Sequence, residues 1–236
     1  MRGTLDFSEL GNRLGSLLEL EHPAVAIAFT EAAPTNMTRV EKSGPAGCSY
    51  WKRAMDGESF YTTSEDHQDC PVGAYTHGVK LGPEKSSELQ GMLSQMIGLN
   101  YLQESEIPQI PHRERAFAFA IYAPLNRTTF DPEIVLIRGN AKHLMLLAEA
   151  TSRAGAGSDS MMMRPTCAVL PQVMQSEKAT SSLGCIGNRV YTGLRDDELY
   201  CAVPGAKIGQ VVAELEKIVA ANSALNTFHK ARAARA

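Results

Sequence analysis

A mixed α/β (α+β) fold is what the sequence predicts: one compact domain over residues 1–236, built from two related halves that share a sheet. Three observations predict it. Short apolar runs alternate with segments of helical periodicity. No stretch is both polar and long enough to tether separate domains. The third is a motif written twice, as Cys70-Pro71-Val72-Gly73-Ala74-Tyr75-Thr76-His77-Gly78 and as Cys185-Ile186-Gly187-Asn188-Arg189-Val190-Tyr191-Thr192-Gly193. Each copy has an earlier cysteine upstream, Cys48 and Cys167. Matched positions lie about 115 to 119 residues apart, a near-constant shift of the kind left by duplication with small insertions, and too long for a short-repeat solenoid. The halves are expected at about 20–105 and 115–222, joined by the stiff stretch Ile107-Pro108-Gln109-Ile110-Pro111.

The elements follow in order. Phe7, Leu10, Leu14, Leu17 and Leu18 keep helical spacing behind Asp6 as N-cap. Ala24 to Phe29 is a continuous apolar run between Pro23 and Pro34, which suits a buried strand. Cys48 to Met55 reads as a short helix stopping near Gly57, and Ser59 to Thr62 as a strand. A helix is expected from about Ser86, with its Leu- and Met-rich part over Leu89 to Leu102. Ala116 to Tyr122 should open the second half as a strand stopped before Pro124, with Glu133 to Ile137 as the next. Ala141 to Arg153 is a helix with Leu144, Leu147 and Ala148 inward. Gly155 to Ser160 is the most flexible-looking stretch, and Met161-Met162-Met163 leads from it to a second cysteine helix, with Thr166 as N-cap before Cys167. Leu199 to Val203 is a strand, and Ile208, Val211, Val212, Leu215, Ile218 and Val219 stripe the last helix.

Composition excludes several function classes. With 44% hydrophobic residues the chain can bury a substantial core. A net charge of −3 offers no basic stripe for nucleic acid, and the basic tail from His229 to Arg235 reads as a frayed helix end. No segment approaches the roughly 20 apolar residues of a membrane helix, and no apolar signal segment is seen near Met1, so neither a membrane nor export is expected. The expected compartment is the cytoplasm, where thiols stay reduced and five cysteines read as core, catalytic thiols or metal ligands before disulfides. P-loop, dinucleotide-binding, hydrolase-elbow, zincin and thioredoxin signatures are absent.

The chemistry therefore rests on the cysteines. Thiolates bind soft metals, and iron–sulfur clusters are usually held by four of them. Cys48, Cys70, Cys167 and Cys185 are the candidate ligands of such a cluster, with zinc, haem or no cofactor as the alternatives; Cys201, which has no counterpart in the first half, reads as core. Cys70 and Cys185 open Gly-containing turns whose backbone N–H groups can point at sulfide or an anion. Glu65-Asp66-His67-Gln68-Asp69 belongs to the first half alone, so His67, His77 and Asp66 are the candidate proton carriers; the same run also suits a solvated turn. Arg189, Tyr75, Tyr191 and Arg164 are candidates for binding a small organic anion, although Arg189 has Asp196 and Asp197 within reach.

Cys48-Ser49-Tyr50-Trp51 with Ala54 and Gly57-Glu58, Cys70-Pro71-Val72-Gly73, and Gly184-Cys185-Ile186-Gly187-Asn188-Arg189 followed by Asp197-Glu198 resemble the bacterial and archaeal family called domain of unknown function 169, or ArCR. The resemblance runs from about Pro23 to the last helix and marks these cysteines as signature positions, while implying neither substrate nor cofactor. The expected function is a redox or metal-binding protein, in the manner of a reductase acting on a small molecule or serving an electron-transfer partner. The alternatives are a small-anion-binding module in the cleft between halves and a thiol-dependent enzyme with Cys70 as nucleophile. Sequence leaves the oligomeric state open.

Overall fold

The computed structural model describes residues 5–157, 160–162 and 164–235. The first helix, α1 (Phe7–Leu18), opens on Asp6, whose carboxylate accepts the Glu9 N–H at 3.0 Å, and buries Leu10, Leu14 and Leu18. Then come β1 (Val25–Thr30), α2 (Gly47–Met55), β2 (Phe60–Thr63), α3 (Pro71–Thr76) and α4 (Pro83–Gly98). Next are β3 (Phe119–Pro124), β4 (Ile134–Asn140), α5 (Ala141–Arg153) and β5 (Ser160–Met162). The chain closes with α6 (Val169–Ser176), β6 (Thr180–Ser182), α7 (Ile186–Thr192), β7 (Glu198–Pro204) and α8 (Ile208–Ala233).

The strands form one seven-stranded sheet in the order β2-β3-β1-β4-β7-β6-β5, with antiparallel neighbours except for the parallel pair β5–β6. Both faces are covered, which is why the central strands read as continuous apolar runs. Val25, Ile27, Ile134, Leu136, Tyr200 and Ala202 point to one face, where Tyr50, Trp51, Leu170 and Val173 meet them. Ala24, Ala26, Val135, Ile137, Cys201 and Val203 point to the other, against Leu14, Leu147, Val211 and Leu215. The mixed α/β class expected from the sequence is the class observed.

From its centre outward the sheet runs β1, β3, β2 on one side and β4, β7, β6, β5 on the other. Pro124 ends β3 and Pro204 ends β7, each turning straight into a 3₁₀ turn. The Leu125 N–H donates to Ala24 O at 2.7 Å, and the Gly205 N–H donates to Glu133 O at 2.8 Å in the corresponding place. Gly205 must be glycine there, because a Cβ would stand 1.7 Å from the Pro132 carbonyl oxygen.

Several boundaries differ from expectation. The run expected to open the second half is β3, which lies between β2 and β1, so the division between strand sets falls between Arg127 and Ile134 rather than near residue 110. Helix α4 starts at Pro83, since proline at the first helical turn gives up only an N–H that would have no helical partner. Cys70 and Cys185 do not open loose turns; they are the N-cap residues of α3 and α7. Cys167 lies in a 3₁₀ turn, Thr166–Ala168, that feeds α6, and Thr166 does not cap it. The flexible-looking stretch and the methionine run fall partly outside the described residues, at 158, 159 and 163.

Candidate functional site

Each of the four paired cysteines stands where a helix begins, on the face of the sheet that carries Tyr50 and Trp51. Cys48 is the second residue of α2, Cys70 precedes α3, Cys167 precedes α6 and Cys185 precedes α7. Helix α2 packs on α7, and α3 packs on the 3₁₀ turn of Cys167, so each first-half cysteine element meets a second-half one. Cys48 and Cys167 are buried, while Cys70 and Cys185 are half-buried. Cys201 is buried on the opposite face of the sheet, apart from the other four.

The thiols feel one another. Burial pushes Cys48 up to about 12, and negative charge on Cys70 or Cys185 would push it further. Burial raises Cys167 well above the ordinary thiol value, with added repulsion from Cys70, Cys185 and Cys48. Cys70 is raised by burial and by Cys185, against the pull of the Gly47 and Gly73 N–H groups on its sulfur. All four are thus in electrostatic reach of each other within a region of low polarisability. Without a cation between them, Cys48, Cys70 and Cys167 rest as thiols.

Two kinds of tie hold the cluster. Within each half, the outer cysteine binds the residue preceding the inner one: Gly47 N–H to the Cys70 sulfur, and the Cys185 N–H to Thr166 Oγ1 at 2.5 Å. Between halves, the inner cysteine faces a polar side chain of the opposite helix. Asn188 of α7 favours the Cys48 thiolate, and Thr76 of α3 favours that of Cys167. Asn188, Thr76, Gly47 and Gly73 were not singled out from the sequence. The only local signal was a short polar residue within the helix that follows each outer cysteine, Thr76 six residues after Cys70 and Asn188 three after Cys185.

His67 and His77 sit beside this cluster in the first half, both buried, with ring centroids 5.7 Å apart. His67 Nε2 is 3.0 Å from Thr62 Oγ1, and its Nδ1, which looks toward Gly47, has no partner. His77 Nδ1 donates to Gly73 O at 2.6 Å, leaving the Nε2 lone pair unpartnered. Burial lowers His67 to about 3 and His77 to about 4, so both are neutral at physiological pH. Burial alone would raise Asp66, but the Arg39 fork at 3.1 Å and the Thr63 donors outweigh it and hold the carboxyl below its ordinary value. Asp66 closes a capping box on Thr63 and also accepts from Ser43, so its role is to fix the turn. Tyr50 Oη donates to the Asp66 carbonyl at 2.6 Å, tying that turn to the Cys48 helix.

Most of the anion-binding candidates already have partners. Arg189 spends its guanidinium on the carbonyls of Leu183 at 2.6 Å, Arg195 at 2.8 Å and Leu194 at 3.4 Å, and pairs with Asp196 at 3.4 Å. Tyr75 Oη donates to Ile107 O at 3.2 Å, and its ring stacks near His112. Tyr191 faces solvent. Arg164 lies over the Tyr101 ring at 4.2 Å and 4.0 Å from Glu106.

Among the described residues, no three His, Cys, Asp or Glu side chains are already drawn together as the shell of one metal ion. Four thiolates on a single zinc would lie about 3.8 Å apart, given Zn–S bonds of about 2.3 Å in a tetrahedron. Ligands of a cluster sit on different iron atoms and stand farther apart.

The model of a protein family described as uncharacterised ArCR, domain of unknown function 169, matches residues 13–214. An uncharacterised protein of Methanocaldococcus jannaschii is similar at 26% identity over 223 residues, covering 89% of this chain and 94% of that protein. No solved structure matches the chain. No helix among the described residues is long and apolar enough to cross a membrane.

Proposed function

The chain belongs to the uncharacterised ArCR family, and from that premise we propose that it is a cytoplasmic redox protein whose Cys48, Cys70, Cys167 and Cys185 hold an iron–sulfur cluster. The observation that carries the reading is the mutual electrostatic contact of four thiols drawn from both halves of the chain. Buried thiols that repel one another as anions are poorly matched to an empty site. A cationic cluster among them would favour the thiolate form and reverse the repulsion. Such a group supplies one-electron transfer when bound. The protein's share is to hold the four sulfurs on helix starts, to cover Cys48 and Cys167, and to leave Cys70 and Cys185 half-exposed toward a small-molecule substrate or an electron-transfer partner.

The thiol-enzyme alternative has less support. No histidine nitrogen bonds to Cys70 among the described residues, both nearby imidazoles are buried, and the net effect of burial raises the thiol. The anion-module alternative has less support too, since the Arg189 donors go to backbone carbonyls and to Asp196.

The test is anaerobic purification and reconstitution with iron and sulfide, followed by an absorbance spectrum and iron, zinc and sulfide analysis. Wild type should show the broad charge-transfer band of a cluster, and Cys48→Ala and Cys185→Ala should each lose the same band together with iron. A colourless, iron-free wild type, or two variants that keep colour and iron, would sink the shared-site reading.

A further inference from the structure

The described residues leave ten large apolar side chains exposed, and four of them, Leu183, Ile186, Val190 and Tyr191, belong to α7 and the loop leading into it. Ile186 is 75% and Val190 71% exposed. They stand one turn apart on the outward side of α7, opposite the buried Asn188 and Thr192. The one charged residue of the helix, Arg189, is turned back on its own chain, where it donates to Leu183 O and Arg195 O and pairs with Asp196. The outward side is therefore apolar and uncharged. It is also firmly held, because Arg138 of β4 donates to the carbonyls of Thr192 and Gly193 at the helix end. Gly187 lies between the Ile186–Val190 pair and Tyr191 on the helix surface. Its φ is negative, and a Cβ there would touch only Tyr191 Cε2, at an ordinary 3.7 Å. Nothing among the described residues requires glycine at this place, and glycine weakens a helix relative to alanine. What the missing Cβ leaves is room for close approach from outside.

We propose that the outward face of α7 is a docking surface for a second copy of this chain, the two helices meeting about a two-fold axis with Ile186 and Val190 of each packed toward Gly187 of the other. A two-fold contact joins a patch to its own image, so any charge on it would face its like. An uncharged apolar face meets that condition, and a glycine gap beside two projecting side chains supplies both sides of a fit. Four side chains exposed to this degree present on the order of 400 Å², the scale at which an apolar patch on a monomer marks an interaction site. That is about half of the ~800 Å² each partner contributes to a standard interface, which suits a reversible dimer rather than an obligate one. Ile186 directly follows Cys185, so pairing through α7 brings the Cys185 residues of the two copies to one interface. The pairing needs no group bound at the cysteines.

The experiment is sedimentation equilibrium of the full-length protein over a wide dilution series, with reductant present so that no disulfide joins the copies. Wild type should pass reversibly from the mass of one chain to that of two, and raising NaCl to about 1 M should not weaken the pairing, because no charged contact is there to be screened. Val190→Glu sets like charges against each other and should raise the dissociation constant at least tenfold. Gly187→Ala fills the gap and should raise it several-fold, while melting at or above wild type when both are dilute enough to be single chains. Melting well below wild type under those conditions would assign Gly187 to the fold and overturn its role in docking. A wild type that keeps the mass of one chain at every concentration would overturn the proposal and leave the face to a different partner. So would a dimer that salt breaks, or one whose dissociation constant Val190→Glu does not move, since either would place the contact elsewhere.

Discussion

The two buried imidazoles make the first half sensitive to acid in a definite window. His67 is held near 3 and His77 near 4, mainly by burial, against 6.5 when free. Between pH 6.5 and about 4 the unfolded chain takes up protons that the folded chain refuses. The stabilisation is therefore complete above pH 6.5 and is lost as the pH falls through that range. At pH 4.5 the loss should be about 2.5 kcal/mol for each histidine. Asp66 and Glu198 titrate the other way, with folded values held below the ordinary carboxylate range, so their stabilisation is lost only at more acidic pH. Urea unfolding of the apo protein at pH 7 and pH 4.5 should show this drop, and His77→Gln should reduce it; a midpoint that does not move between the two pH values would refute the assignment. Single residues were unequally legible in the sequence. The cysteines stood out because chemistry-bearing residues recurred at matched places. That His67 and His77 would be dry, and that Asp66 would be spent on Arg39, depends on which side of the turn faces Phe117 and Tyr50, and no local pattern encodes it.

Helix α7 carries Cys185 and Asn188, and its far end is secured by a buried ion pair. Arg138 of β4 donates to Thr192 O at 3.3 Å and Gly193 O at 2.7 Å, and bonds Glu198 Oε2 at 2.5 Å. Both side chains are about 95% covered, at 5% and 4% exposed, so the pair is desolvated. Removing one partner from such a pair leaves a buried charge, a change that costs about 3–5 kcal/mol. Arg138→Met should accordingly lower the unfolding free energy by about that amount, since it also frees two carbonyls at the helix end. Arg138→Met/Glu198→Leu should recover part of it, because the buried carboxylate, then held only by Arg195, is gone. Equal stability of wild type and Arg138→Met by urea titration would show that the pair is not what fixes α7. At this scale the sequence was a good guide to helices and strands with a clear apolar period, such as α1, α5 and α8. It was poorer where helices are short. Six or seven residues in α3 and α7 leave little period to read, and their stability comes from packing and capping rather than propensity.

For the whole molecule, the sheet order decides which pieces of chain can stand as units. Strand β3 is paired with β1 over Phe119 to Pro124 and with β2 over Phe119 to Tyr122, and β3 is the only named strand that β2 pairs with. By contrast β1 meets β4 over only three residue pairs, Val25 to Ile27 against Ile134 to Leu136. A cut near residue 112, where proline spacing suggested the junction, would therefore remove the strand that organises β1 and β2. A cut after Thr129 would leave β1-β2-β3 on one piece and the strands from β4 to β7 on the other. The sequence could not show this, because the apolar runs of β3 and β4 are alike, and only long-range pairing tells which set each joins. The expectation is that co-expressed fragments 1–129 and 130–236 co-purify with wild-type-like far-UV circular dichroism, joined through β1–β4, α1–α8 and α2–α7. Fragments 1–112 and 113–236 should associate less well, since β3 would have to thread between two strands of a separate chain. Equal recovery from both cuts would remove the case for dividing the sheet between β1 and β4. The same pair of fragments bears on the site, whose cysteines divide as Cys48 and Cys70 on one piece and Cys167 and Cys185 on the other. If the four sulfurs share one cluster, neither fragment alone should take up iron and sulfide as the mixture does, and colour should appear only as the two pieces associate.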